Sequence, residues 1–325
     1  MMNDARDISL LEDFEKGLDP RHPERSAIPA PIIGYGEMST IFEINTPSLK
    51  GYAFKRMPIF RSTEELDRYE NLFHEYNRLI NDDIGIHVPG SETARILPGK
   101  GNMVVYILQE KLPPQSICDR VIKVIDDDSI LHLVTLILRE MKKVWDYNGS
   151  GGAITIGFDG QISNWAIRGY EGSEPPRIDE ETRLSYIDTS TPLMSRNGVE
   201  RLNPDLFLRS APSFLVWLIK WFFLEDVMTR YYDFHLVAVD LVANFYKEQR
   251  PDIIPSLIKA VNIFFESEAP ELDVEPINEK EVRSYYREDA FIWSLYLNLR
   301  RFDRFLHTRI MRKPYTYILP GTIDR

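Results

Sequence analysis

The sequence predicts an α+β protein of two unequal parts, a small antiparallel sheet with one long helix over residues 31–112 and a larger helical part over 113–325. Three observations carry that expectation. Short runs alternate apolar and polar residues between Gly and Pro punctuation in the first part. A single segment there, STEELDRYENLFHEYNRLIND, keeps helical period instead. Beyond residue 113 helical period dominates, and only brief strand-like runs interrupt it.

The elements follow in order. Residues 1–30 form an extension, with a short amphipathic helix over Ile8 to Phe14 and the proline-rich linker DPRHPERSAIPAP. In PIIGYGEMSTIFEI, glycines 34 and 36 precede alternation over Ser39 to Ile44, a turn-rich strand pair. YAFKRM gives a strand whose Ala53, Lys55 and Met57 share one face by period two. The long helix opens on a Ser or Thr cap with acids in its first turn. HVPGSETARILP and NMVVYILQEKL read as two strands. ICDRVIKVIDD and SILHLVTLILREMKKVWDY are expected helices, the second with serine near its start and Asn148-Gly149 near its end. In FDGQISNWAI, Asp159-Gly160 reads as a tight hairpin turn, and RLSYIDTSTPLM as a strand. The rest is helical: two helices between Pro212 and Gln249, one in PDIIPSLIKAVNIFFES, and a last one from Glu279.

Composition narrows the function classes. A net charge of -11, with no basic tail, argues against a general nucleic-acid or anionic-membrane binder, but not against a small anionic ligand held by a local positive field. The one cysteine, Cys118, excludes an intramolecular disulfide framework and a cysteine-rich zinc site, and fits a reducing, cytoplasmic setting. The acidic start lacks an apolar signal-like core. FLVWLIKWFFL, Phe214 to Leu224, is too short to span a bilayer and carries Lys220; it reads as a buried helix or a surface contact.

Four features could carry chemistry. Gly34, Gly36 and Ser39 fit either a plain tight turn or a loop whose backbone amides approach phosphate oxygens. Lys55 needs an anionic partner if its strand face is enclosed, and otherwise snorkels from an edge. Glu75 on the long helix could fix the Lys55 ammonium, or simply face solvent. Asp159, Asn164 and Asp188 supply a carboxylate to orient an acceptor and oxygen ligands for a hard cation, or sit at turns and strand ends facing water. The histidines are scattered, with none at the spacing of a helical zinc motif; His132 and His235 read as satisfied helix residues. Asp233 and Asp240 read as surface or helix-end residues, with the border of an acceptor pocket as the alternative, and RRFDRFLHTRIMRK as a basic amphipathic stretch used internally or facing solvent, with a partner or phospholipid contact as the alternative.

In this order, from glycine loop through strand lysine, helix glutamate and D-x-x-x-x-N to a strand-end aspartate, the chain resembles the protein-kinase-like superfamily. It is most similar to the small-molecule branch that includes aminoglycoside and choline phosphotransferases. The resemblance covers roughly residues 31 to 310. It implies a bilobal fold, with a nucleotide-binding lobe over 31–112 and the catalytic and acceptor site in the helical lobe. It implies ATP and magnesium as cofactors and a small hydroxyl-bearing acceptor. Gly34, Gly36 and Ser39 would cover the phosphates, and Lys55, held by Glu75, would contact them. Backbone around Leu108 and Glu110 would take the adenine. Asp159 would orient the acceptor hydroxyl, while Asn164 and Asp188 would hold the metal. The chain departs from the family pattern at Gly157, where a histidine is usual, and in the DTSTP that begins at Asp188. A nucleotide-binding or scaffold protein that keeps the lobes without catalysis is the second expectation.

Overall fold

The computed structural model describes residues 5–36, 39–44, 46–47, 49–97, 103–209, 229–313 and 315–320. The chain is a mixed α+β protein with an antiparallel sheet and several helices. The expected helix at Phe214 to Leu224 lies outside the described residues.

The main sheet contains β1 (Ile32–Tyr35), β2 (Thr40–Phe42), β3 (Tyr52–Phe60), β4 (Ser91–Ile96) and β5 (Met103–Glu110), in the order β1-β2-β3-β5-β4. Every pair in it is antiparallel. Period two decides what each face does. Ala53, Lys55 and Met57 of β3 stand opposite Gln109, Ile107 and Val105 of β5. Met57, Val105 and Ile107 join the large core that runs through the helical part. The alternate residues Phe54, Tyr106 and Leu108 face a second, smaller core.

That second core changes the role of the amino-terminal extension. Helix α1 (Ala5–Gly17) brings Leu11 and Phe14 onto Phe42, Phe54 and Tyr106, and Ile318 arrives from the far end of the chain. The sheet is therefore covered on both faces, which is why β3 is buried along most of its length instead of alternating. Arg56 is only 3% exposed and lies under this cover. Glu15 accepts from its Nε and Nη2 at 2.8 and 2.5 Å, and the Thr316 carbonyl accepts from Nη1 at 3.0 Å.

Helix α2 (Thr63–Arg78) crosses the other face. The Ser62 hydroxyl accepts from the Glu65 N–H at 3.3 Å, as the cap pattern predicts. Where ICDRVIKVIDD was expected to be a helix, only the single turn α3 (Cys118–Val121) forms before further turns. Helix α4 (Asp127–Gly149) is capped by Asp126, whose carboxylate accepts from Ser129 N–H at 2.8 Å, rather than by the serine itself. After the short helix α5 (Asp205–Leu208) come α6 (Phe234–Lys247), α7 (Ile254–Ser267) and α8 (Glu279–Phe305). Asp233 caps α6, as its helix-end reading expects.

The Asp159-Gly160 hairpin does not form. β6 (Ile154–Ile156) pairs with β9 (Met194–Arg196), which also pairs with β10 (Val199–Glu200). β7 (Trp165–Ile167) pairs instead with β8 (Leu184–Tyr186). The strands flanking Asp159 thus go to different partners, and the segment between them is a loop with a single 3-10 turn over Ile162–Asn164. No described helix is long and apolar enough to cross a membrane.

Candidate functional site

Between β6 and β7 the loop must carry polar residues through apolar surroundings. Phe158, Trp165 and Tyr186 form an aromatic cluster under it, with ring centroids 4.3 to 5.8 Å apart. Tyr76 of α2 donates from its hydroxyl to the Gly157 carbonyl at 3.1 Å. At Gly157 a Cβ would stand 3.0 Å from Leu193 Cβ and 3.0 Å from the Tyr232 ring, so this backbone has little room for a side chain. A histidine at this place would have to displace them; the aromatic cluster and Tyr76 support the loop here. Gly160 is tighter still, with Met141 and Val237 atoms 2.8 to 2.9 Å from an added Cβ. Its lack of a side chain lets the loop lie against α4 and α6.

The loop is held by its own polar groups. The Asp159 carboxylate accepts from the Gln161 N–H at 3.2 Å, an Asx turn. Asn164 donates from Nδ2 to the Asp159 carbonyl at 3.3 Å, while its own carbonyl accepts from Ile187 N–H at 2.9 Å. That last bond ties the loop to the end of β8, one residue before Asp188.

Asp188 closes the arrangement. Lys55 Nζ donates to its Oδ1 at 2.8 Å, across 133 positions of chain. The same oxygen accepts from Ser190 N–H at 3.2 Å and the Ser190 hydroxyl at 2.7 Å. Lys55 is 7% exposed, so its charge has an enclosed partner rather than a path to water. Gln109 reaches from β5 to donate to the Ile187 carbonyl at 3.0 Å, and Tyr69 of α2 donates to the Ser190 carbonyl at 2.7 Å. The sheet face, α2 and the two short strand pairs are thereby pinned around one polar cluster.

The electrostatics separate the two aspartates. Enclosure pushes the Asp188 carboxyl up, but the Lys55 ammonium and the Ser190 donors more than offset it and leave the group below its ordinary value. Asp159 has no such cation. Enclosure and then the Asp188 charge raise it. Asp240 on α6 is raised further, by burial and then by Asp159. It is 5% exposed, contrary to the surface or helix-end expectation. It accepts from Gln161 Nε2 at 3.2 Å and Asn244 Nδ2 at 3.1 Å. The arrangement can present an enclosed carboxylate of raised proton affinity beside a carboxylate held below its ordinary value by the Lys55 ammonium.

Of the residues expected at the site, Lys55, Asp159, Asn164 and Asp188 come together. Glu75 does not join them. It faces the other way on α2, where it accepts from Arg196 at 3.0 Å and from Arg201, clamping β9 and β10. Helical geometry explains the correction, because Tyr69, Phe73 and Tyr76 form the buried stripe on α2 and Glu75 lies outside it. Near the backbone expected to take adenine, around Leu108 and Glu110, several groups are already engaged within the sheet. Leu108 lies in the second core, Glu110 N–H donates to the Gly90 carbonyl at 2.9 Å, and Lys111 N–H to the Gly51 carbonyl at 2.7 Å. β5 is an inner strand, so its donors are already used in the ladder and the first backbone beyond it is Leu112–Pro113. Gly34 lies in β1 and Gly36 just past its end, and Gly36 N–H donates to the Ser39 carbonyl at 3.0 Å. His132 and His235 are satisfied as expected, by Glu180 for the first and by Glu281 and the Glu275 carbonyl for the second.

Gln109 and Tyr76 were missed as site residues, and Asp240 was read first as a surface or helix-end residue. Gln109 was readable in principle, since period two puts it on the face of Lys55; Asp240 was not, because a lone acid in an apolar helix reads the same whether buried or at an edge.

For a hard cation, Asn164 and Asp188 supply amide and carboxylate oxygen. The Asn164 amide nitrogen is committed to Asp159, which leaves its Oδ1 as the ligating atom. Among the described residues no group of three or more His, Cys, Asp or Glu side chains is placed to hold a metal unaided. Further ligands would have to be phosphate oxygens or water.

The fold and cluster define a mixed α+β protein with an enclosed lysine–carboxylate site. Residues 24–304 match the model of a family of unknown function, DUF6206, and the chain belongs to that family. Comparison with curated proteins finds no match.

Proposed function

We propose that the chain is a phosphotransferase of bilobal, protein-kinase-like fold that uses ATP and magnesium to phosphorylate a small hydroxyl-bearing molecule. The Lys55–Asp188 contact at 2.8 Å carries this reading, because it joins the strand lysine and the strand-end aspartate that the resemblance pairs in one cleft. The sheet order β1-β2-β3-β5-β4 with α2 across it supports the first lobe, and the separate β6–β9 and β7–β8 pairs around Asp159 support the second.

In this reading Lys55 holds the phosphates by charge, and Asp188 keeps its ammonium aimed into the cleft. Asp159 accepts a hydrogen bond from the acceptor hydroxyl and takes its proton as the new bond to phosphorus forms, and its raised proton affinity suits that task. Gln161 and Asp240 fix the loop that aims Asp159. Asn164 and Asp188 would hold magnesium, which when bound draws negative charge off the phosphate oxygens.

A second reading, nucleotide binding without catalysis, is favoured by the triple engagement of Asp188 Oδ1 by Lys55 and Ser190. Calorimetry with ATP, with and without magnesium, tests what both readings share, and no heat under either condition removes both. Product-detected turnover over a broad panel of hydroxyl-bearing metabolites then separates them. Turnover that persists in Asp159→Ala protein removes the mechanism.

A further inference from the structure

A cavity of about 390 Å³ lies outside the Lys55–Asp188 site, where the β7–β8 pair meets α4 and the loop before β4. It falls within the roughly 300–1,000 Å³ typical of small-molecule sites. Its cations are Arg139, Lys143, Arg168 and Arg183, with His87 beside them. Glu180 and Glu268 neutralise Arg139, and Glu140 neutralises Lys143. The two arginines of the strand pair differ.

Arg168 and Arg183 extend the β7–β8 ladder by one step beyond Ile167 and Leu184, and Arg168 N–H donates to the Arg183 carbonyl at 2.9 Å. Like charges directly opposite each other across a strand pair are destabilising unless an anion sits between them. Arg183 has only a long, solvent-exposed contact with Glu181, 3.3 Å, and otherwise donates to the carbonyls of Glu180 and Thr182. Among the described residues no carboxylate lies within ion-pair distance of Arg168. Both arginines are exposed and line the one cavity from paired backbone positions, and guanidinium groups supply N–H donors that match the oxygens of a phosphate. Leu136 and Leu184 supply an apolar wall in the same cavity.

We propose that this cavity is a binding site for a small organic phosphate, held between Arg168 and Arg183 with its carbon skeleton against Leu136 and Leu184. His87 reports on it. Burial and then the Arg168 charge lower the proton affinity of His87, against an opposing pull from Glu110. A phosphate on Arg168 cancels that repulsion and moves His87 back up. The same histidine bonds to Ser185 at 2.8 Å, and its carbonyl accepts from Tyr186 N–H, so His87 joins this cavity to the strand that leads to Asp188.

The test is calorimetric titration of the full chain with glycerol 2-phosphate and with inorganic phosphate, in a buffer free of other multivalent anions. Phosphate could also enter beside Lys55, so each titration is repeated in Lys55→Ala protein. We expect saturable binding that survives Lys55→Ala and is tighter for the organic phosphate. Arg168→Ala and Arg183→Ala should each weaken it about tenfold or more, the scale of one lost charge-assisted contact. Arg283→Ala, which removes an exposed cation on α8 that does not line this cavity, should not. In parallel, the His87 ring resonances should titrate at higher pH when the site is saturated. Binding abolished by Lys55→Ala, or unchanged in both arginine variants, overturns the site, as does the absence of saturable heat. Unfolding midpoints of the arginine and Lys55 variants, with each titration run below its midpoint, confirm that any loss is not a loss of fold.

Discussion

Asp159 and Asp188 are both enclosed carboxylates just past the end of a short strand, yet their surroundings push them in opposite directions. The largest difference is one ammonium group: Lys55 sits on Asp188, where the Ser190 donors add to it, and not on Asp159. Because the folded protein raises the proton affinity of Asp159, its ionised form destabilises the fold once pH exceeds the group's ordinary value. Stability linked to this group therefore falls as pH rises from about 4 through the raised value. Asp159→Asn should raise the unfolding midpoint at pH 8 and do so much less at pH 4, while abolishing any turnover. An equal shift at both pH values would remove the electrostatic account. If the proposed chemistry holds, the acid limb of the rate profile follows the same group, with activity lost as Asp159 is protonated. Lys55→Ala has the opposite structural sign. It strands the Asp188 carboxylate, and the midpoint should drop at neutral pH and recover in part on acidification.

The elements are fixed by ion pairs whose partners no local pattern reveals. Glu75 clamps β9 and β10 to α2, so Glu75→Ala should loosen that pair and increase hydrogen exchange at Met194 to Glu200 while leaving the α2 amides protected. Uniform exchange across both would show that the clamp has no local effect. At the start of α2, hydrogen bonds from Arg209 hold the Glu65 carboxyl down at about 2. A depressed carboxylate contributes stability that is complete above its ordinary value near 4.5 and is lost as pH falls toward 2. In Glu65→Gln protein the unfolding midpoint should fall less steeply between those limits than in the parent. Parallel curves would count against the pair. Ser62→Ala should lower stability by about 1 kcal/mol through the lost cap.

At the scale of the whole molecule, both ends of the described chain close over one face of the main sheet. Arg56 sits beneath them, bonded to Glu15 from one end and to the Thr316 carbonyl from the other. Removing one partner leaves a buried charge unpaired, which typically costs about 3–5 kcal/mol. Glu15→Ala should therefore destabilise strongly, and Arg56→Met with Glu15→Leu should recover much of the loss, as read by denaturant midpoints. An additive double variant would show that the charges act independently. Residues 1–30, read from sequence as an extension and linker, carry part of the sheet's core through Leu11, Phe14 and Ala30. The reason this was illegible is physical: a short amphipathic helix declares an apolar face but not what covers it.

What the sequence determined by itself is local. Period two in YAFKRM put Ala53, Lys55 and Met57 on one face, the Ser62 cap placed the start of α2, and helical period located α4, α7 and α8. These follow from interactions within a few residues, which composition and spacing encode. Tertiary structure alone decided that Lys55 meets Asp188 rather than Glu75, that Asp240 is buried beside the Asp159 loop, and that Asp159-Gly160 turns between two strand pairs instead of within a hairpin. Each depends on contacts between residues many tens of positions apart. A carboxylate carries the same local signature whichever distant cation it finds, so only the packing of sheet, helix and loop could choose its partner.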